Sequence, residues 1–300
     1  MNTEFDKLAA EGFPIFLGSE IDQAAPEQAF FHVLPVPYEK TVSYGGGTGN
    51  GPAAILEASW QLEEWDGYSK PCDLGIHTAA PVSMQGTEAQ IIENIAKDTA
   101  KIVAQGGYPV ILGGEHSITN GVIQGLLAAG ITDIGVVQID AHADLREAYE
   151  GNPFSHASVM KRVVDLGVPL YQLGIRAICE EENATRAKHG VLYQDAAELV
   201  QQNIQQIELP ADFPKNVFFT LDVDGLDPSV FPATGTPVQG GLSWYQTLNL
   251  FESVVKQRKV IGFDVVELAP IKGFHAYEFA ASLLTYKMMG IVARNYGSQE

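Results

Sequence analysis

Asp140, His142 and Asp144 stand at i, i+2 and i+4 in the segment DAHAD. Extended backbone has a side-chain period of two, so this spacing predicts three metal-ligating groups on one side of the chain. Asp222 and Asp224 repeat the arrangement with two carboxylates. A single Asp at such a place is commonly an N-cap or a turn former. Three same-facing titratable groups are different, because they repel one another unless a cation lies between them. A sixth candidate is His116 in GGEHS, where Gly113 and Gly114 let the backbone turn sharply and carry the imidazole over a strand end. His32, His77, His189 and His275 read as structural histidines.

Charge decides how many ions such a cluster takes. The four carboxylates of Asp140, Asp144, Asp222 and Asp224 carry −4, so one divalent ion leaves −2 and two leave zero. Paired divalent ions bridged by shared carboxylates, about 3.5–4 Å apart, form a catalytic arrangement that acidifies a water near neutral pH. Oxygen and imidazole donors without thiolate favour Mn²⁺ over Zn²⁺ or an iron–sulfur cluster. Mg²⁺ suits the set less, since it prefers water and phosphate to histidine.

These residues need elements to position them. Thr87 and Gln90 have capping-box spacing, and Ile91, Ile92, Ile95, Ile102 and Val103 then fall on one helical face. Residues 109–112 read as a buried strand. Helices are expected over 121–129, about 156–166, 195–207, from the Ser243/Gln246 box to about 257, and 277–293. Strands are expected over 134–139, 170–175, 217–221 and 260–266. This alternation predicts βαβ units: a mostly parallel sheet in a three-layer α/β/α arrangement, with residues 1–300 as one domain. In such sheets ligands sit beyond the carboxyl ends of the strands. The exits after 109–112, 134–139, 217–221 and 260–266 all carry His, Asp or Glu, the last being Glu267.

Composition narrows the function. The 300 residues include 18 Lys and Arg against 37 Asp and Glu, a net charge of −19 that argues against nucleic acid or an anionic membrane as partner. Apolar residues at 46 % suffice for a core. No run of about 18 apolar residues predicts a membrane span, and the opening MNTEFDKLAAEGF lacks a signal-peptide pattern. Two cysteines, Cys72 and Cys179, are too few for a disulfide framework or a thiolate cage. A cytoplasmic enzyme acting on a small cationic substrate is the expectation.

Taken together, GGEHS, DAHADLR, SHAS, FTLDVDGLDP, TGTP and DVVEL, in this order across nearly the whole chain, resemble the ureohydrolase family of arginase, agmatinase, guanidinobutyrase and formimidoylglutamase. The resemblance implies a binuclear manganese site that hydrolyses guanidino groups to urea. It implies one ion on His116, Asp140, Asp144 and Asp222, and another on Asp140, His142, Asp222 and Asp224, with Asp140 and Asp222 bridging. It further implies a proton shuttle at His156 and a guanidinium partner at Glu267, whose carboxylate matches a forked planar cation. Trimers or hexamers are the implied assembly.

DAHADLR, HVLPVPYEKTVSYGGGTG and SHASVMKRV look most like agmatinase, which converts agmatine and water to putrescine and urea. Agmatine carries an ammonium where arginine has a full amino-acid head. Glu147 and Glu150 are candidates to face that tail, while Arg146 is expected to point elsewhere. Guanidinobutyrase or another ureohydrolase is the neighbouring reading, and a silent metal-binding paralogue the non-enzymatic one. Two departures from the family pattern bear on substrate fit: Phe231 and Ala233 in place of small loop residues, and the glycine-rich stretch Gly45–Gly51 in place of a basic turn. That stretch is not a phosphate loop, because Pro52 stands where Lys is required. Pro52 instead suits the first turn of a helix containing Ile55 and Leu56.

Overall fold

The computed structural model of the chain describes residues 14–296. The opening segment considered above for a signal peptide lies outside them through residue 13. The described elements, in chain order, are β1 (Phe31–Val36), α1 (Gly51–Ala58), β2 (Ile76–Thr78), α2 (Glu88–Ala104), β3 (Tyr108–Gly113), α3 (Ile118–Ala128), β4 (Ile134–Ile139) and α4 (Val159–Asp165). They continue with β5 (Leu170–Leu173), α5 (Glu180–His189), β6 (Leu192–Gln194), α6 (Ala196–Gln201), β7 (Asn216–Asp222), α7 (Trp244–Val255), β8 (Lys259–Val266) and α8 (Ala276–Asn295). The strands form one sheet in the order β2-β1-β3-β8-β7-β4-β5-β6. Every pairing is parallel. The three-layer expectation therefore holds.

Both faces of the sheet are covered, which is why its strands read as continuous apolar runs. Side chains alternate between two cores. Val110, Phe219, Leu221, Phe263 and Val265 join α1, α7 and α8 on one face. Ile111, Phe218, Val136 and Val266 join α2, α3 and α4 on the other. Local signals fix the helix starts. Thr87 accepts from the Gln90 amide while the Gln90 side chain returns to the Thr87 amide, a complete capping box. The Ser243 box is only half made: Ser243 Oγ accepts from the Gln246 amide. The Gln246 side chain instead donates to the carbonyls of Leu199 and Ile204, tying α7 to the end of α6. Pro52 lies in the first turn of α1, as expected.

The helix expected over 195–207 is shorter. It closes at Gln201 because Asn203 adopts a left-handed conformation, φ 51°. The two edge strands β2 and β6, the neighbouring β1, and α5 have no counterpart in the sequence expectations. β2 and β6 are three residues long, β1 contains Pro35, and α5 (EEENATRAKH) has no apolar stripe. Its signal is electrostatic, with three glutamates in the first turn and Arg186, Lys188 and His189 in the last. Among the described residues no helix is long and apolar enough to cross a membrane.

Candidate metal centre and active site

Four neighbouring central strands deliver the candidate residues at their carboxyl ends. β3 leads to His116, β8 to Glu267, β7 to Asp222 and Asp224, and β4 to Asp140, His142 and Asp144. Among the described residues, metal-competent atoms fall into two groups that share Asp140: His116, Asp140 and Asp222, and Asp140, His142 and Asp224. Asp144 joins the first, its Oδ2 lying 3.2 Å from His116 Nδ1. All six residues singled out by spacing are thus brought together.

The route differs from the one the spacing suggested. DAHAD is not extended. The strand stops at Ile139, the chain bends at Ala141, and Asp144 takes φ 52°. Ala141 and Ala143, which alternate with the candidate ligands, are fully buried. Convergence arises from this bend, with the carboxylates held by amides. Asp140 Oδ1 accepts from the His142 amide, Asp222 Oδ1 from the Asp224 amide at 2.8 Å, and Asp224 Oδ1 from the Ala141 amide at 3.0 Å. The Oδ2 atoms turn to the imidazoles. His116 Nδ1 lies 3.0 Å from Asp140 Oδ2 and 3.5 Å from Asp222 Oδ2, and His142 Nδ1 lies 3.0 Å from Asp224 Oδ2.

His116 Nδ1 tests the fit of a cation. It is buried among three carboxylates, yet among the described residues it makes no hydrogen bond of acceptable geometry. Its other nitrogen, Nε2, is 2.8 Å from Thr220 Oγ1, which orients the ring and leaves Nδ1 free to ligate. An all-oxygen-and-imidazole donor set around an orphaned nitrogen suits a hard-to-borderline divalent ion. Without one, protons do the neutralising. Burial lowers the His142 imidazole, but Asp224 and Asp140 push it up to about 12. Burial likewise disfavours imidazolium at His116, and the Asp140 and Asp144 carboxylates reverse this and hold it well above its usual range. Burial, reinforced by the Asp140 charge, lifts Asp144 to about 7. Burial also raises Asp222 and Glu267 well above the carboxylate range.

A cavity of about 290 Å³ opens onto this cluster, lined by His142, Asp144 and His156 together with Ser43, Tyr149, Arg146, Glu182 and Thr236 among others. His156 follows the N-cap Ser155, which accepts from the Ala157 amide. Burial lowers its imidazole, so that ring stays neutral near neutral pH. Glu267, at φ 65°, is 7 % exposed and accepts from the His116 amide at 2.7 Å through Oε1, so a substrate would share that oxygen. Glu267 is not among the cavity-lining residues.

Two expectations about the tail are corrected. Arg146 lines the cavity, its guanidinium 4.0 Å from Glu182 and over the Tyr149 ring. Glu147 faces Lys161 at 3.0 Å and Arg162 at 3.2 Å, which pull it away from the cavity, and Glu150 is exposed and lines no part of it. Besides Asp144, the acidic group in the wall is Glu182, buried and accepting from the amides of Leu145 and Cys179. The departures from the family pattern resolve into packing. Phe231 and Ala233 are fully buried in the core. Gly45 and Gly235 meet backbone to backbone at 3.2 Å, a contact a Cβ on either would obstruct.

Several contributors escaped sequence reasoning because each is an ordinary polar residue inside an apolar run. Gln138 donates to Asp140 at 2.7 Å from mid-strand. Asp264, buried on β8 and lifted by burial to about 6, accepts from Thr119 at 2.7 Å. Arg176 donates to the carbonyls of Gly174, Asp224, Gly225, Leu226 and Val238, fixing the turn that carries Asp224.

A family model described as the Arginase family matches residues 29–290. The chain belongs to that family. It is 39 % identical over 284 residues to an N(1)-aminopropylagmatine ureohydrolase from Synechocystis sp., covering 92 % of each chain. It is 37 % identical over 268 residues to the enzyme of that name from Thermus thermophilus, covering 88 % of this chain and 91 % of the other. Among solved structures, the agmatine ureohydrolase of Thermoplasma volcanium superposes with a TM-score of 0.82 at 27 % identity, covering 98 % of this chain and 99 % of that one. The class is that of hydrolases acting on C–N bonds of linear amidines.

Proposed function

We propose that this chain hydrolyses the guanidino group of agmatine, or of agmatine extended by an N1-aminopropyl group, releasing urea. The observation that carries the reading is the pair of ligand groups meeting at Asp140 beneath the cavity. His116, Asp140, Asp144 and Asp222 would hold one ion, and Asp140, His142, Asp222 and Asp224 the other, with Asp140 and Asp222 bridging. Two Mn²⁺ suit the charge count and donor set. When bound, the pair would supply Lewis acidity and an acidified water. Glu267 would accept the guanidinium, a forked donor that matches a carboxylate. His156, neutral and lining the cavity, would carry the proton that the leaving amine needs.

The tail of the substrate decides between relatives. Agmatine brings a single ammonium and no carboxylate, and the aminopropyl form adds a further amine. The buried Glu182 carboxylate in the cavity wall favours such cations. Arg146 favours the competing reading, because its guanidinium would pair with the carboxylate of 4-guanidinobutyrate. A panel of N1-aminopropylagmatine, agmatine, arginine and 4-guanidinobutyrate with a urea readout tests this. The two decarboxylated substrates are expected to exceed the others in kcat/KM by about 10²-fold, the scale of an unpaired buried charge. Equal or faster turnover of 4-guanidinobutyrate overturns the assignment and makes Arg146 the residue to replace. The same reading carries a trimer or hexamer in the cytoplasm, with residues 1–300 as one domain. Sizing of the purified protein checks the assembly.

A further inference from the structure

Glu115 is completely buried beside His116, yet its carboxylate serves a different residue. Oε2 accepts from the amides of Lys40 at 2.6 Å and Thr41 at 2.7 Å. Oε1 accepts from the Thr41 hydroxyl at 2.7 Å and the Ser117 hydroxyl at 2.6 Å. The single hydroxyl proton of Thr41 is thereby committed to Glu115, and Thr41 Oγ1 is left as an acceptor only. It already accepts from the His156 amide at 3.0 Å. Its remaining neighbour is His156 Nδ1, at 3.2 Å. Two lone-pair atoms do not bond, so this contact is a hydrogen bond only when Nδ1 carries the proton.

We propose that Thr41, oriented by Glu115, is a positioning residue that holds His156 in the tautomer protonated on Nδ1, leaving Nε2 as the ring atom that takes up and returns protons. The inference rests on the reading of His156 as the proton carrier. The other polar neighbour of Nδ1 is Ser155 Oγ at 3.3 Å, which also accepts from the Ala157 amide. Its hydroxyl is free to donate or accept, so Ser155 tolerates either tautomer whereas Thr41 selects one. Glu115 thus reaches the reaction through two hydrogen bonds, without contact with substrate.

The test uses the manganese-loaded full chain, the best substrate of the panel above, and metal content per chain measured alongside. Thr41→Val is expected to lower kcat by about tenfold or more, less than the 10²–10⁴-fold that an acid–base group as a whole contributes. KM and manganese content should stay unchanged, and Thr41→Ser should restore most of kcat. In a His156→Ala background, Thr41→Val should cost nothing further, because its effect passes through the ring it orients. Ser155→Ala should cost less than Thr41→Val. Undiminished kcat in Thr41→Val, an equal loss in the His156→Ala background, or a larger loss in Ser155→Ala would each overturn the inference. Wild-type turnover in His156→Ala alone would overturn the proton-carrier reading, and the inference with it. If Thr41→Val does not fold, Thr41→Ala carries the same comparison.

Discussion

The two edges of the sheet are built from the same strands and differ completely in chemistry. At the carboxyl edge, β3, β8, β7 and β4 release the chain into bends and positive-φ residues that gather the six candidate ligating groups. At the amino edge, the starts of β3 and β8 border a cavity of about 200 Å³ lined by Phe30, Val103, Ile131, Val255, Val260 and Val292, with Tyr108 and Lys259 among its few polar members. Concavity alone therefore does not identify a site. Convergent polar groups do, and strand direction decides where they converge: loops after parallel strands share one edge, and their amides are free to pin carboxylates. The comparison predicts that perturbations at the carboxyl edge affect chemistry and those at the amino edge affect stability alone.

The largest effect is expected for Asp140→Ala. Asp140 belongs to both ligand groups, so its loss weakens both ions at once. Lewis-acid stabilisation of several kcal/mol corresponds to about 10³-fold or more in rate. Urea release and bound manganese should fall together. A variant that keeps two ions per chain would break the bridging assignment.

His156→Ala comes next, at about 10²–10⁴-fold in kcat. Here the manganese content should not change, because His156 lines the cavity without belonging to either ligand group. Loss of metal, or wild-type turnover, would remove the distinction between proton carrier and ligand.

Metal removal sharpens the comparison through pH. In the metal-free protein His142 is held charged up to about 12 by Asp224 and Asp140 against the effect of burial. A raised histidine stabilises fully below its unfolded value near 6.5 and loses that contribution as pH rises through the folded value. Asp144, raised to about 7 by burial, has the same sign, because folding holds a proton that the unfolded chain releases. Chelated protein should therefore melt a few °C lower at pH 8 than at pH 6. The manganese-loaded protein should slope the other way, since ligands must shed protons to bind. Parallel slopes, followed by calorimetry, would argue against the ions and protons sharing one site.

What was legible in the sequence follows the same division. The candidate ligands stood out because His and Asp at strand exits interrupt apolar runs, and DAHAD compresses three of them into five residues. The central strands stood out because both faces are buried. The bend at Ala141 did not, since backbone dihedrals at Asp144 depend on the amides and carboxylates around it and not on residue type. Arg146 and Glu147 were exchanged for a related reason. Adjacent residues on irregular backbone obey no period, and the partners that sort them, Glu182 for one and Lys161 with Arg162 for the other, lie 14 to 36 residues away. Polar residues serving the site from inside strands and helices, such as Gln138 and Thr119, carry no mark that separates them from packing.

The smallest effect belongs to the amino edge. Tyr108 opens β3, the strand that ends at Gly113 just before His116. Among the described residues its hydroxyl is buried without a hydrogen-bond partner, and burial raises it well above the usual tyrosine range. A buried hydroxyl lacking a partner costs about 1–3 kcal/mol of desolvation. Its aromatic body does useful work beside this, stacking on Phe30 at 5.4 Å and meeting Phe31 edge-on at 5.6 Å. Tyr108→Phe keeps those contacts and removes the stranded oxygen, so it should raise the melting temperature by about 1–4 °C. Turnover should be unchanged, since neither ligand group draws on this end of the strand. A loss of activity without a loss of stability would mean that the two edges are mechanically coupled through β3, and the division between them would fail.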